Sequence, residues 1–145
     1  MRSERARELF AAERVARLAT ADRNGQPHIV SMVFAVEGDR IYSAVDSKPK
    51  RTTALKRLAN IEANPRVALL ADAYADEWTT LWWVRADGVG RVVDPTDSAA
   101  AHAVDVLAGK YTQYRQIRPT GPVIVIDVER WSGWSASRIH DEPTG

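Results

Sequence analysis

Five cations crowd one short stretch of this sequence. Lys48, Lys50, Arg51, Lys56 and Arg57 lie between positions 48 and 57, an interval without a single acid, in a chain whose formal net charge is only +1. Three of the four lysines, at 48, 50, 56 and 110, fall inside it. Pro49 fixes the backbone there as a loop, and Thr52 or Thr53 suits the N-cap of a helix that follows. A loop entering a helix offers free backbone N–H groups and the positive end of the helix dipole, and a phosphate needs both, together with charge-assisted hydrogen bonds from cations. Lys50, Arg51, Thr52 and Thr53 supply all of these, with Lys48 beside them. Lys56 and Arg57, a turn further on, read as the solvated face of an amphipathic helix whose Leu55, Leu58 and Ala59 point inward.

Composition bounds what else the chain does. It has no cysteine, which excludes disulfides, a thiolate nucleophile and a Cys-based metal site. Nor does it show a nucleophile–base pair, a cluster of metal ligands or a glycine-rich phosphate loop, so no catalytic side chain and no metal is assigned. A near-zero net charge with one confined basic cluster is unlike a nucleic-acid footprint. At 145 residues and 45% hydrophobic content, residues 1–145 form one domain with a core of its own. The opening "MRSERARELFAAERVARL" is charged throughout, and no stretch approaches the roughly 18 apolar residues of a membrane span. The expectation is a cytoplasmic protein with no membrane partner.

These residues need a frame. "SERARELFAA" is a short helix with Ser3 as N-cap and Ala6, Leu9 and Phe10 on one face. "RVARLATAD" and "HIVSMVFAV" are two strands joined through "RNGQP", where Asn24-Gly25 suits a tight hairpin turn. "EGD" turns the chain into a third strand, "RIYSAV". After the basic loop, the next helix ends at Asn64-Pro65. "RVALLADAY" is a buried strand, and "TTLWWVRADGVGRVV" a long one with a bulge at Asp87-Gly88 or Gly90. "DPTDSAAAHAVDVLAGKY" is a helix with Asp94 as N-cap, Pro95 in its first position and Gly109 as C-cap. "PVIVIDVERW" is the last strand. Six strands joined mostly by short turns predict a mainly β, antiparallel barrel with peripheral helices.

Residues 42 to 70, "YSAVDSKPKRTTALKRLANIEANPRVALL", resemble the segment of the pyridoxamine 5'-phosphate oxidase-like split barrels in which Tyr-Ser/Thr is followed by Ser-Arg-Lys, a helix and Asn-Pro-Arg-Val. Ser47, Lys48, Lys50 and Arg51 occupy the Ser-Arg-Lys zone, with extra residues inserted before the helix. "ARLATAD", "KPKR", "NIEANP" and "LWWVRADG", in that order, are similar to the small actinobacterial branch of coenzyme F420-dependent oxidoreductases. The resemblance implies an FMN-binding-type split barrel whose cofactor is the deazaflavin F420, or FMN in its place. It also implies a homodimer, because such cofactor sites lie between subunits, and "LWWVRADG" offers apolar surface for that contact.

The same resemblance assigns roles. Lys48, Lys50, Arg51, Thr52 and Thr53 hold the anionic tail, and five cations suit the phosphodiester and carboxylates of F420 better than the single phosphate of FMN. Ser31, Met32 and Val33 run along the ring, and Trp78 or Trp83 meets it, although a Trp-rich strand equally suits a core or a subunit contact. His28 reads as a rim or core residue. The ending "WSGWSASRIHD" is similar to the oxidases' Trp-x-Gly…Arg-Leu-His-Asp, which would make Trp131, Arg138 and His140 substrate contacts. A basic residue expected two places after the histidine is Glu142 here, which argues against vitamin B6 oxidase activity. The implied activity is hydride transfer between reduced F420 and a small conjugated organic acceptor; an FMN-dependent oxidase or reductase and a non-catalytic cofactor-sequestering protein are the alternatives.

Overall fold

The structure, a computed structural model, describes residues 1–45 and 51–137, with residues 51–55 described by backbone alone. Its elements in chain order are α1 (Ser3–Ala12), β1 (Ala16–Ala21), β2 (Pro27–Met32), β3 (Ala35–Glu37), β4 (Arg40–Ala44), α2 (Arg51–Ala63), β5 (Arg66–Ala73), a 3-10 turn (Trp78–Thr80), β6 (Trp82–Val93), α3 (Ser98–Lys110), α4 (Thr112–Gln116) and β7 (Val123–Ser135). All strand pairs are antiparallel, in the order β2-β1-β5-β6-β7-β4-β3. The two edge strands, β2 and β3, are separated in sequence by Val33 and Phe34 alone. Three peptide steps reach only about 10 to 11 Å, so the sheet must roll until its edges nearly meet, and the expected split β-barrel follows.

The sequence predicts one return strand where the molecule has two, β2 and β3. Phe34 breaks it because its backbone groups turn away from the ladder. Its N–H donates to the Tyr111 hydroxyl at 3.1 Å, and that hydroxyl lies 2.8 Å from both Phe34 O and Arg14 O, to either of which it donates. The seam is therefore a side-chain-satisfied kink, and Phe34 is itself fully buried against Phe10.

Two cores share the sheet. Leu18, Phe34, Ile41, Leu69, Val84, Ile124 and Ile126 fill the barrel with Ala6 and Phe10 of α1, while Tyr42, Val93, Val123 and Val125 meet α3 on the outer side. Residues 123–126 are buried on both faces, which is why "VIVI" reads as a continuous apolar run instead of an alternating one. The expected bulge sits at Asp87/Gly88. A Cβ at Gly88 would lie 2.3 Å from Asp127 O, so only glycine permits that strand approach.

Several expected helix ends move. Arg2, not Ser3, is the N-cap of α1, without a side-chain bond. Asp97 caps α3 by accepting from Ala99 N, while Asp94 closes the preceding turn by accepting from Thr96, and Gly109 lies inside α3, whose C-cap is Tyr111. Only at α3 does a second residue with capping chemistry, Asp97, take the place of the expected one. Helix α2 begins at Arg51, which places Thr52 and Thr53 in its first turn instead of at its cap. Its inward residues are also rotated. Asn60 and Ile61 are buried, Leu58 is half-buried and Ala59 is exposed, because Asn60 Nδ2 donates to the buried Thr20 hydroxyl at 3.0 Å and pins the helix on that face.

Candidate functional site

The rotation of α2 sets up the site. Position 57 shares a helical face with 60 and 61, so burying Asn60 and Ile61 turns Arg57 inward, against the expectation that it belongs to a solvated face; Lys56 stays exposed and lies 3.7 Å from Asp22. Arg57 enters a cleft of about 300 Å³ at the barrel seam. Met32 ends β2 and Val33 follows it, Ser43 and Ala44 come from the end of β4, and Tyr114, Ile117 and Arg118 from α4 and the segment after it. Ser43 Oγ donates to Val33 O at 2.9 Å, tying the two strand ends together across the seam.

The electrostatics of that cleft call for an anion. The Arg57 Nε is buried and has no hydrogen-bond partner among the described residues. Desolvation pushes its guanidinium pKa below the usual value, with the Tyr114 phenol opposing. A cation withdrawn from water without a partner is unfavourable, and an anionic ligand group would reverse that. Arg118 adds a second cation at the rim, where it donates to Asp105 at 2.6 Å in an exposed pair that contributes little to stability. Met32, Val33, Ala44 and Ile117 give the rest of the wall an apolar character suited to a ring.

Val33 and Tyr114 also line a second opening of about 540 Å³, whose walls include Arg14, Lys110 and Tyr111. Lys110 Nζ donates to Glu13 O at 2.6 Å and stands 3.8 Å from the Phe34 ring centre. Burial, followed by the nearby Arg14 charge, lowers its pKa to about 8.

The structure brings together only part of the predicted set. Met32, Val33 and α2 share the seam, while the backbone of Arg51, Thr52 and Thr53 forms the first turn of α2. Lys48, Lys50, Arg138 and His140 lie outside the described residues, as do the side chains of Arg51, Thr52 and Thr53. Ser31 pairs with Arg17 and is exposed, and Trp83, opposite Trp134, is on the outer sheet face, so neither lines the seam cleft. Trp78 is exposed on its 3-10 turn. Trp131 is buried, edge-on to Phe10 at 5.3 Å, with Nε1 donating to Asp39 at 3.0 Å; it packs beneath α1. Sequence reading missed Arg57, Ser43 and Tyr114 at the seam. The signal for Arg57 was present in the spacing back from Asn60-Ile61, but asparagine was not read as an inward residue.

The family profile described as Pyridoxamine 5'-phosphate oxidase matches residues 3–135. No functionally curated protein matches the sequence. Among solved structures, a conserved hypothetical protein from Mycobacterium tuberculosis is similar with a TM-score of 0.71 at 23% identity, over 100% of this chain and 91% of its own. A FAD-binding protein from Mesorhizobium loti gives 0.69 at 24%, over 92% and 94%. The heme storage protein HutZ from Vibrio cholerae gives 0.67 at 17%, over 93% and 95%. At these identities the likeness establishes the fold.

Proposed function

The chain belongs to the pyridoxamine 5'-phosphate oxidase family, and from that premise we propose that it is an oxidoreductase transferring hydride between the deazaflavin coenzyme F420 and a small conjugated organic acceptor. The observation that carries this reading is the seam cleft, in which a half-buried Arg57, whose Nε has no hydrogen-bond partner among the described residues, faces an apolar wall of Met32, Val33 and Ala44. Its helix begins at Arg51, directly after Lys48 and Lys50 in the sequence. F420, when bound, supplies the hydride chemistry; the protein's contribution is to hold the anionic tail, orient the ring and exclude water. The working unit is a homodimer, supported by the exposed Ile29, Leu70, Trp83 and Trp134 on one sheet face.

A flavin is the second reading. It is favoured by the similarity to a FAD-binding protein, and it needs fewer cations than the segment carries. A cofactor-sequestering protein shares the first reading's binding chemistry and differs in lacking turnover. Fluorescence titration of the purified protein with F420, tail-truncated F420 and FMN separates them at low and high salt. F420 should bind most tightly, and its affinity should fall most with salt as the Debye length shrinks from about 10 Å at 0.1 M to about 3 Å at 1 M. FMN binding as tightly as F420 at both salts replaces the first reading with the second.

A further inference from the structure

The opening beside the seam is not explained by holding a cofactor. It shares Val33 and Tyr114 with the cofactor cleft, so a molecule seated there adjoins whatever occupies the seam. Its walls are cationic at Arg14 and Lys110 and aromatic at Tyr111 and Tyr114, whose rings meet edge-on with centroids 5.8 Å apart, and among the described residues no acid lines it. We propose that this opening is the acceptor site and that it selects an organic anion, a planar conjugated body bearing a carboxylate, held between Arg14 and Lys110. The identification of the acceptor rests on the cofactor reading above, whereas the anion selectivity does not.

The chemistry of Lys110 supports the choice. Phe34 from the seam, Glu13 and Arg14 from the linker after α1, and Tyr111 and Tyr114 at the start of α4 are the groups that face it. The Glu13 carboxylate and carbonyl and the Phe34 and Tyr111 rings favour its charge, but burial, followed by Arg14, outweighs them and lowers its pKa to about 8. Arg14 is engaged with Lys110 O at 3.0 Å and lies 5.8 Å from the Tyr111 ring centre, which holds the guanidinium at the rim. A carboxylate between the two would neutralise their mutual repulsion and stabilise the protonated lysine. Affinity should therefore be full below about pH 8 and decline as pH rises above it.

Calorimetry on the cofactor-free protein with trans-cinnamate and neutral trans-cinnamamide tests this independently of F420. Cinnamate should bind at least tenfold more tightly than the amide, and Arg14→Gln or Lys110→Gln should each remove at least tenfold of that affinity. The wild type should lose about tenfold per pH unit above pH 8. Lys110→Arg should retain binding and lose the break at pH 8, which a merely structural lysine would not produce. Equal affinity for acid and amide, no binding of either at millimolar concentration, or a wild-type affinity flat from pH 6 to 10 overturns the proposal. Failure of the F420 titration with cinnamate still selected would overturn the cofactor reading alone.

Discussion

The outer surface of the barrel is treated in two ways along its length. Over β4 and the first half of β7, helix α3 lies across it, and Tyr42, Val123, Val125, Val104 and Leu107 are almost wholly excluded from water. Over β2, β1, β5, the first half of β6 and the second half of β7, no element among the described residues covers it, and Leu70, Trp83 and Trp134 remain 38%, 36% and 48% exposed, with Ile29 at 66%. The two surfaces carry comparable side chains. What differs is the charge woven among them. The bare face interleaves Arg17, Asp72 and Arg85 with its apolar residues, a mixture of charge and aromatic side chains of the kind found at subunit contacts. A surface covered within its own chain needs no such mixture.

The largest effect is expected on the covered side. Leu107 is fully buried between α3 and the sheet, and Leu107→Ala should cost about 2 to 5 kcal/mol through lost transfer energy and the cavity left behind. At this chain length that corresponds to a fall of roughly 4 to 20 °C in Tm. Calorimetry of the variant checks it, and an unchanged Tm would show that α3 is only loosely docked.

Trp83→Ala should act on association instead. Truncating an aromatic anchor at an interface centre typically weakens association by about 2 kcal/mol or more, roughly thirtyfold, while removing little from the fold of one subunit. Sedimentation velocity across micromolar concentrations should show a dimer for the wild type and dissociation for the variant. A wild-type monomer, or a variant that loses its fold with its assembly state unchanged, would make the bare face an ordinary surface.

The same contrast explains what was legible in the sequence. Strands β5 and β6 were readable as strands, but β5, expected to be buried, shows one face to solvent: Leu69, Ala71, Val84 and Ala86 point inward while Leu70, Asp72, Trp83 and Arg85 are exposed. The Asp87-Gly88 bulge was readable because glycine inside a strand has few other uses. The break at Val33-Phe34 was not, since both residues are ordinary strand formers and the cause is Tyr111, 77 positions away. Arg57 was hidden for a related reason. Its face is fixed by a polar pair, Asn60 with Thr20, and hydrophobic periodicity does not weigh a buried asparagine. The expected cationic segment at Lys48 and Lys50 lies outside the described residues, and the walls of the seam cleft come from four elements that only the folded chain brings together.

The smallest expected effect lies at the rim of the covered face. Glu37, at the end of β3, lies 2.8 Å from His102 Nε2 of α3 and accepts from the Tyr42 hydroxyl at 3.0 Å. The His102 contact, followed by the Tyr42 hydrogen bond, holds its carboxyl below the usual carboxylate range. A carboxylate lowered in the folded state contributes stability that is fully present above its ordinary pKa and lost as pH falls through the lowered value. Glu37→Gln keeps an acceptor for Tyr42 and deletes only the charge. The variant should therefore melt slightly below the wild type at pH 6 to 7, by far less than Leu107→Ala, because an exposed pair contributes little. The difference should close as pH falls through the lowered value of the Glu37 carboxyl. Thermal melts of both proteins at three pH values measure it, and a gap that widens on acidification would mean that α3 is held at this rim by packing, with no contribution from the Glu37 charge.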